Sequence, residues 1–334
     1  MHGIGLSLPN RGILFGAITV PEMLELAEYA DNSDYFDSVW VGDGLLAKPR
    51  LESVVSLAAI SARTTRVKLG VCCLATFPLR QPVLFATQWA SLDVVSGGRT
   101  ILAVCLGATT ARSGTNVVGE LQAMGVKGSE RVPRLEESIQ LIRRLWDGPT
   151  SADGDFWSFP EVDLQPKPVQ NPCPIWIASN PNPSKLPPHR FAAAIDRVGR
   201  LADGWQSTMI TPEEFGQRWD EVRERAEFHG RDSRAMSSAV HLMINLDDDV
   251  AAARAEAKRF LDVYYSIDAT DEVLDRWGAY GPTETVLKRL GQYTDRGLDV
   301  PILRFASFRQ SEQMERATTE LLPELAKQQT QVTQ

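Results

Sequence analysis

Residues 38–74 read SVWVGDGLLAKPRLESVVSLAAISARTTRVKLGVCCL, and this stretch contains the unit from which the fold is built. The apolar run at 38–41 ends in Gly-Asp-Gly, which is typical of a buried strand followed by a loop. A helix is predicted over about 51–64, and the run at 67–74 predicts a second buried strand. Two strands joined by a helix form a βαβ unit, in which the strands are parallel and the connection is right-handed.

The same alternation of strand and helix continues along the rest of the chain. Two predicted helices begin with Thr followed by Pro and Glu, at Thr19 to Glu22 and at Thr211 to Glu214. This pattern is typical of a capped helix N-terminus. Eight strands separated by helices predict a closed (β/α)8 TIM barrel, an α/β fold, rather than an open sheet. The predicted strands are 4–8, 38–41, 67–74, 100–106, 174–179, 204–207, 240–245 and 301–306.

The chain is predicted to form a single domain, because no linker, repeat or charge run divides it. A small hairpin is expected at 156–159, and a disordered tail near 327–334. Loops that follow strands lie at the C-terminal face of a barrel, where barrel enzymes have their active sites. Four insertions exceed the usual loop length, and the first and third of them follow strands: 108–129, 150–172, 180–190 and 263–281.

Composition and charge exclude several classes of protein. The 334 residues include 35 Lys and Arg against 43 Asp and Glu, a net charge of −8 that argues against nucleic-acid binding. No apolar stretch is long enough to span a membrane, and the first twenty residues lack the pattern of a secretory leader, so a cytoplasmic location is expected. The four cysteines and four histidines show no metal-ligand spacing. No metal site is predicted, and the cysteines are expected to be small, reduced, buried side chains.

A series of short motifs runs in order through nearly the whole chain, whereas no generic nucleotide-binding or hydrolase motif occurs. Together these motifs resemble the bacterial luciferase-like superfamily of flavin- and deazaflavin-dependent oxidoreductases. The resemblance implies a TIM barrel that holds a flavin-type cofactor at its C-terminal mouth. The motifs are VWVGDGLLAKPRLE at 39–52, RVKLG at 66–70, PLRQP at 78–82, SLD at 91–93, SGGR at 96–99, RLEES at 134–138, LW at 145–146, PIWI at 174–177 and ADGW at 202–205.

The resemblance also implies where the cofactor lies. The SGGR motif precedes its strand and is therefore expected on the N-terminal face, away from the cofactor. The backbone N–H groups of Ala178, Ser179 and Asn180, with the Ser179 hydroxyl, are expected to bind the cofactor phosphate. The family's non-proline cis peptide bond in the third strand is expected between Cys72 and Cys73. The expected cofactor-binding residues are Cys72, Cys73, Gly107, Ala178, Ser179, Asn180, Gly204 and Trp205.

The sequence departs from its relatives at two positions where some of them carry catalytic groups. Many deazaflavin-dependent relatives have His after the Asp of the second strand, and this chain has Gly44. Some relatives have an acidic proton donor after the fourth strand, where this chain has Ala108 and Thr109. A catalytic acid or base must then come from elsewhere. The candidate catalytic residues are Asp43, His189 and Arg190.

The resemblance implies a two-component monooxygenase that uses reduced FMN and oxygen on a small organic substrate, with a separate reductase supplying the flavin. The alternative is a dehydrogenase or reductase that uses the deazaflavin coenzyme F420. A third alternative is a non-catalytic flavin-binding barrel. Trp157, His189 and Arg190 are expected to form walls of the substrate site.

The assembly implied by the resemblance is a homodimer. Members of the superfamily commonly dimerise through early helices, here those predicted over 51–64 and 81–96. Leu57, Ala58, Phe85 and Trp89 are the expected apolar residues near the interface.

Overall fold

The computed structural model describes residues 3–107 and 115–332 of the chain, with side chains through residue 327. Eight parallel strands form a closed barrel in the order β1-β2-β3-β4-β7-β8-β9-β11, and β11 closes the circle on β1 with Ile302 opposite Gly5. The predicted TIM barrel is confirmed. The strands are β1 (Gly5–Leu8), β2 (Ser38–Val41), β3 (Lys68–Val71), β4 (Thr100–Val104), β5 (Thr150–Asp153), β6 (Ser158–Val162), β7 (Ile175–Ala178), β8 (Gly204–Thr208), β9 (Ser237–Leu246), β10 (Gly278–Gly281) and β11 (Val300–Phe305).

Helices surround the barrel and pack on its outer face. The two capping boxes are confirmed, with the Thr19 and Thr211 hydroxyls accepting from the N–H groups of Glu22 and Glu214. None of the described helices is long and apolar enough to cross a membrane. The helices are α1 (Val20–Asn32), α2 (Ser53–Ser61), α3 (Pro82–Val95), α4 (Val117–Ala123), α5 (Arg131–Asp147), α6 (Pro188–Leu201), α7 (Pro212–Phe228), α8 (Val250–Tyr265), α9 (Asp271–Trp277), α10 (Thr283–Thr294), α11 (Gln310–Arg316) and α12 (Leu322–Val332).

Two tryptophans fill the lower part of the barrel interior and form a floor. The rings of Trp40 and Trp176 are 5.7 Å apart, and both side chains are buried. Glycines on neighbouring strands leave room for them: a Cβ on Gly70 would overlap the Trp40 ring, and one on Gly204 would lie 2.6 Å from Trp176 Nε1. The barrel is therefore closed below this floor and open only above it, toward the C-terminal ends of the strands.

Two of the predicted insertions contain secondary structure. Of the insertion at 108–129, residues 108–114 lie outside the described part of the chain, and α4 occupies the middle of the remainder. The insertion at 263–281 contains α9 and β10, and β10 extends the sheet beside β9. The last helix, α12, ends at Val332.

The hairpin predicted at 156–159 is confirmed as the β5–β6 pair, but it does not face the barrel mouth. Trp157 Nε1 donates to Ser138 Oγ at 3.2 Å, and the Arg134 guanidinium lies 4.5 Å from the Trp157 ring. Ser138 and Arg134 both belong to α5, so the hairpin packs on that helix. The expectation that Trp157 forms a wall of the substrate site is wrong, because the loop from α5 to β7 runs outside the barrel.

The apolar residues expected at a dimer interface are mostly core residues. Leu57, Phe85 and Trp89 are buried against the barrel, and among the four only Ala58 faces solvent. The exposed faces of the same two helices carry other apolar side chains, with Val55 69% exposed on α2 and Leu84 60% exposed on α3.

Candidate functional site

A cavity of about 800 Å³ opens above the tryptophan floor at the C-terminal ends of the barrel strands. Its volume lies within the range that small-molecule and cofactor sites occupy. Inward-facing residues alternate along barrel strands, so the first layer above the floor contains the residues two positions beyond those of the floor. The cavity residues of this layer are Gly42, Cys72, Cys105, Ala178, Gln206, His241 and Arg304.

The structure brings seven of the sequence-predicted site residues to the cavity wall: Asp43, Cys72, Cys73, Gly107, Ala178, Ser179 and Asn180. The other four, His189, Arg190, Gly204 and Trp205, are not among the described residues that line it. The two groups differ in position along the chain, because the first group follows strand ends and the second does not.

Gly204 and Trp205 belong to the barrel wall rather than to its mouth. They are the first two residues of β8, and Gly204 lies against Trp176 in the floor. The Trp205 ring points outward and stacks on Phe215 of α7 at 5.1 Å, and its Nε1 donates to Ser179 O at 2.7 Å. Their position does not support the predicted cofactor-binding role.

His189 and Arg190 lie in the first turn of α6 and are exposed to solvent. Neither reaches the cavity, so the predicted catalytic role finds no support in their position. The arginine of this helix that does line the cavity is Arg197, two turns further on. It is buried and paired with Glu136 of α5 at 2.7 Å.

Asp43 is buried at the end of β2, and its carboxylate is fully engaged. Its Oδ2 accepts from the N–H and hydroxyl of Thr76 at 2.8 and 2.7 Å. Its Oδ1 accepts from Ser53 Oγ at 3.0 Å and from Arg80 Nη2 at 3.3 Å. These bonds join β2, α2 and the segment after β3. The geometry therefore makes Asp43 an anchor of the cavity wall.

The predicted cis peptide bond between Cys72 and Cys73 is present. Both residues line the cavity. Cys73 forms a disulfide with Cys105, with Cα atoms 6.0 Å apart, so the expectation of four reduced cysteines is wrong for this pair. Cys72 is free and lies 3.3 Å from Ser7 Oγ.

The two free thiols differ in environment, which gives a direct test of this arrangement. Burial, followed by the charge of Asp93, raises the pKa of Cys173 to about 12, whereas Cys72 is half-buried at the cavity. Because the thiolate is the reactive form, Cys72 should react first with a thiol reagent in the folded protein. Unfolded protein should show two thiols without reductant and four after reduction. Four thiols without reductant would contradict the disulfide, and Cys72→Ser should abolish the early reaction.

Arg304 is the most deeply buried cation among the described cavity residues, and sequence reasoning missed it. It lies in β11, is 1% exposed, and donates from Nε and Nη2 to Ser7 Oγ at 3.1 and 2.6 Å. Burial opposes its charge, but Tyr264, Tyr265 and Cys72 hold the pKa of Arg304 above its ordinary value. Arg304 therefore remains a cation. Its Nη1 is buried without a hydrogen-bond partner.

Two further polar groups of the same layer are buried with an unpartnered atom. These atoms are Gln206 Oε1 and His241 Nε2. Burial lowers the pKa of His241 well below its ordinary value, and the charges of Arg304 and Arg50 lower it further, so the imidazole is neutral. A polar residue inside an apolar barrel strand, as in VHLMIN or PILRF, was the sequence signal for these side chains.

Cations outnumber anions around the cavity, although the chain as a whole carries a net charge of −8. Net charge describes solubility, whereas the local set of charges decides what a site binds. This wall therefore favours an anionic ligand. The described cavity residues include seven cations, Lys48, Arg50, Lys185, Arg197, Arg218, Arg276 and Arg304, and four anions, Asp43, Glu120, Glu214 and Glu272.

The end of the cavity beside β7 and β8 contains the residues predicted to bind a phosphate. The N–H of Ser179 donates to Gln206 O at 3.1 Å, so it is used within the sheet, which corrects the expectation that it binds a ligand. Asn180 Nδ2 donates to Thr208 O at 2.5 Å. The Ser179 hydroxyl is half-buried at the cavity with no partner among the described residues. Arg197 and Arg218 line the same end from α6 and α7.

The arrangement offers binding and positioning groups but no metal site. No group of three or more His, Cys, Asp or Glu side chains that could hold a metal ion occurs within residues 3–107 and 115–327. The cavity instead combines a closed aromatic floor, a polar inner layer and basic groups toward the mouth, which suits an organic cofactor and an organic substrate.

Comparisons with known proteins agree with this geometry. The flavin-dependent trigonelline monooxygenase oxygenase component of Acinetobacter baylyi is 29% identical over 175 residues, covering 51% of this chain and 45% of that protein. The chain thus spans less than half the length of that relative. An F420-dependent glucose-6-phosphate dehydrogenase of Tsukamurella paurometabola is 26% identical over 268 residues, covering 74% of this chain and 75% of that one.

Solved structures show the same fold. An F420-dependent secondary alcohol dehydrogenase superposes with a TM-score of 0.79 and 17% identity, and a monooxygenase from Streptomyces bottropensis with 0.78 and 20%. Each superposition covers 97% of this chain and 99% of the other. Residues 4–300 match the family described as luciferase-like monooxygenase. The chain is therefore an enzyme of the luciferase-like monooxygenase family, whose relatives use flavin or F420 cofactors.

Proposed function

We propose that the protein is the oxygenase component of a two-component flavin monooxygenase, using reduced FMN delivered by a separate reductase. The residues present fit such a cofactor. The cavity has the volume for a tricyclic ring, and small residues such as Gly107 and Ala178 leave its wall uncrowded. Bound reduced flavin supplies the electrons with which oxygen is activated. The chain's own part is to bind the substrate, orient it and exclude water above the tryptophan floor.

The observation that carries this proposal is the engaged state of the cavity carboxylates. Asp43 is held by four hydrogen bonds, and Glu120 Oε2 accepts the N–H groups of residues 45–47 at 2.8–3.0 Å. Glu214 pairs with Arg276 at 2.5 Å, and Glu272 is exposed at the rim. A dehydrogenase must move a proton to or from the substrate oxygen. Among the described cavity residues no enclosed carboxylate is free to do so, which favours oxygenation.

A second candidate is an F420-dependent dehydrogenase or reductase, and one observation favours it. His241 lines the cavity with Nε2 unpartnered, so it is placed to accept a proton from a substrate hydroxyl. In this case His241 would hold the substrate proton at Nε2, and bound F420 would supply the hydride chemistry.

Cofactor titration separates the two candidates. The purified chain is titrated with FMN, reduced FMN and F420, with bound cofactor followed by fluorescence. The proposal expects tighter binding of reduced FMN, and oxygen uptake when a flavin reductase is added. Preferential binding of F420 would overturn it in favour of the second candidate. Failure to bind any of the three would contradict both candidates.

The Ser179 hydroxyl is proposed to bind the cofactor phosphate. Loss of a hydrogen bond to a charged group costs roughly 1.5–3 kcal/mol, so Ser179→Ala should weaken cofactor binding about ten- to a hundredfold. Ser184→Ala serves as the control, because that exposed hydroxyl donates to Asn182 Oδ1 in the neighbouring loop. Equal cofactor affinity in wild type and Ser179→Ala would place the phosphate elsewhere.

We propose that the protein forms a homodimer through the exposed faces of α2 and α3, where Val55 and Leu84 are solvent-facing. A charge at the centre of an apolar interface is strongly unfavourable, so Leu84→Asp should weaken the dimer by about tenfold or more. Val263→Asp is the matched control, since Val263 is an exposed apolar residue of α8. Light scattering at micromolar concentration measures the mass. A monomeric wild type would refute the assembly.

A further inference from the structure

We propose that the inner end of the cavity binds the carboxylate of an organic-acid substrate, with Arg304 as its principal partner. This inference deepens the proposed function and rests on it, because it assigns the substrate class of the same cavity. It comes from three buried polar groups that have unpartnered atoms in one layer of the barrel.

The first observation is the orientation of Arg304. Its Nε and Nη2 are fixed by Ser7 Oγ and Leu8 O, and its guanidinium lies 4.6 Å from the Tyr264 ring. These contacts hold the group rigidly and leave Nη1 buried with no partner. No carboxylate among the described residues forms an ion pair with Arg304. A buried cation without a counter-ion is costly, and a bound anion removes that cost.

The second observation is that the other two groups lie in the same layer. Gly204, Ala239 and Ile302 lie at the level of the tryptophans, and Ala239 and Ile302 pack in one cluster with both rings. Gln206, His241 and Arg304 follow them by two positions along β8, β9 and β11. They therefore face the same space, directly above the tryptophans. Gln206 Oε1 requires a donor, and His241 Nε2 a hydrogen-bonding partner. A ligand that satisfies all three has an anionic head beside an N–H or O–H group.

A second cation approaches the same region from the loop after β2. Arg50 lies across Gly42 and Gly44: a Cβ on Gly42 would overlap Arg50 Nη1, and one on Gly44 would lie 3.5 Å from Arg50 Nε. Arg50 Nε donates to Lys48 O at 3.2 Å, and no described carboxylate pairs with Arg50. Two guanidinium groups without acidic partners thus border the space beside His241.

The number of free donors favours a carboxylate over a phosphate. Phosphate sites in proteins combine several N–H donors, often from backbone or a helix terminus. Here Arg304 has only Nη1 left to offer, and Arg50 adds one further guanidinium. Arg197 and Arg218 also line the cavity, from α6 and α7, and offer basic groups to the cofactor phosphate.

Calorimetric titration of the full chain, unloaded and saturated with the cofactor it binds, tests the inference. The probes are benzoate, benzamide, inorganic phosphate and sulfate. The inference expects benzoate to bind at least about tenfold more tightly than benzamide, which has the same shape without the charge. Equal binding of benzoate and benzamide, or phosphate or sulfate binding as tightly as benzoate, would overturn the carboxylate assignment.

Variants test the residue assignment. Arg304→Met should weaken benzoate binding about ten- to a hundredfold and leave benzamide binding unchanged. Arg134→Met, on the outer side of α5, is the control and should bind both probes as wild type does. Arg50→Met, at a half-buried position, provides a second test if Arg304→Met does not fold. Unchanged benzoate affinity in both folded variants would overturn the proposal.

Competition distinguishes substrate from cofactor. Benzoate should bind the cofactor-saturated chain without displacing the cofactor. Displacement by benzoate would assign the Arg304 cluster to the cofactor and overturn the inference while leaving the monooxygenase proposal intact. Failure of all cofactors to bind would overturn the proposed function, and the benzoate–benzamide comparison on the unloaded chain would still decide whether the cluster selects carboxylates.

Discussion

Asp43→Asn is expected to lower the free energy of unfolding by about 2–4 kcal/mol. The Asp43 carboxylate accepts hydrogen bonds from Thr76, Ser53 and Arg80. All of these partners act as donors. In Asp43→Asn, the amide NH₂ group faces one of these donors and cannot accept its hydrogen bond. The Arg80 cation also loses its ion pair with residue 43. Because the affected segments form the cavity wall, cofactor affinity should fall together with stability. Urea denaturation and cofactor titration of the same samples measure both.

Glu52→Gln provides the control for Asp43→Asn. Glu52 also pairs with Arg80, at 2.8 Å, but its side chain is partly exposed, and exposed ion pairs contribute about 0–1 kcal/mol. The control should therefore change stability by less than about 1 kcal/mol. An Asp43→Asn variant as stable as wild type, with normal cofactor affinity but no turnover, would instead make Asp43 the catalytic group predicted from the sequence.

Trp40→Ala is expected to be the most destabilising single substitution considered, at about 3–5 kcal/mol. Trp40 is fully buried, its Nε1 donates to Ser38 Oγ at 2.8 Å, and its ring contacts Trp176. Gly70 lies beneath that ring and has no side chain with which to fill the space. The substitution therefore creates a void beneath the ligand cavity. Thermal and urea denaturation give the size of the effect.

A double-mutant cycle isolates the reason for this loss. Gly70→Val alone should be destabilising, because its side chain overlaps the Trp40 ring. In the Trp40→Ala background the same valine enters the void and should recover part of the lost stability, giving a coupling free energy of roughly 1–3 kcal/mol. Strictly additive effects would show that the glycine and the ring do not depend on each other.

The fold was predictable because most barrel strands contain a short apolar run bounded by turn residues, as at residues 38–41. The strand ends were less predictable: the strand expected over 100–106 ends at Val104, and the one expected over 240–245 begins at Ser237. Gly204 and Trp205 were assigned to the cofactor site from their motif, although they begin β8 and do not follow its end. Asp203 is the second residue of the ADGW motif. Its carboxylate accepts from Arg143 at 2.7 Å, Arg231 at 3.0 Å and the Ile175 N–H at 2.9 Å. These bonds fix the N-terminal end of the barrel, so this motif supports the fold.

The candidate site was only partly predictable, because its chemistry depends on which strands become neighbours. Cys73 and Cys105 are 32 residues apart, and only the adjacency of β3 and β4 brings them together. Arg304 reaches Ser7 because β11 closes on β1, almost 300 residues away in sequence. Spacing along the chain contains no information about either contact. The conspicuous polar residues of the mouth loops, His189 and Arg190, face solvent instead.

The position of Arg50 also constrains how this sequence can diverge. Its guanidinium occupies the space over Gly42 and Gly44, and a Cβ at residue 44 would lie 2.8 Å from Lys48 O. A lineage that introduces histidine at residue 44 must therefore first remodel the loop that holds Arg50. The two sites are epistatic: the order in which substitutions arrive decides which intermediates are viable. Exchange of one residue between this chain and its deazaflavin-dependent relatives is then insufficient to transfer their chemistry.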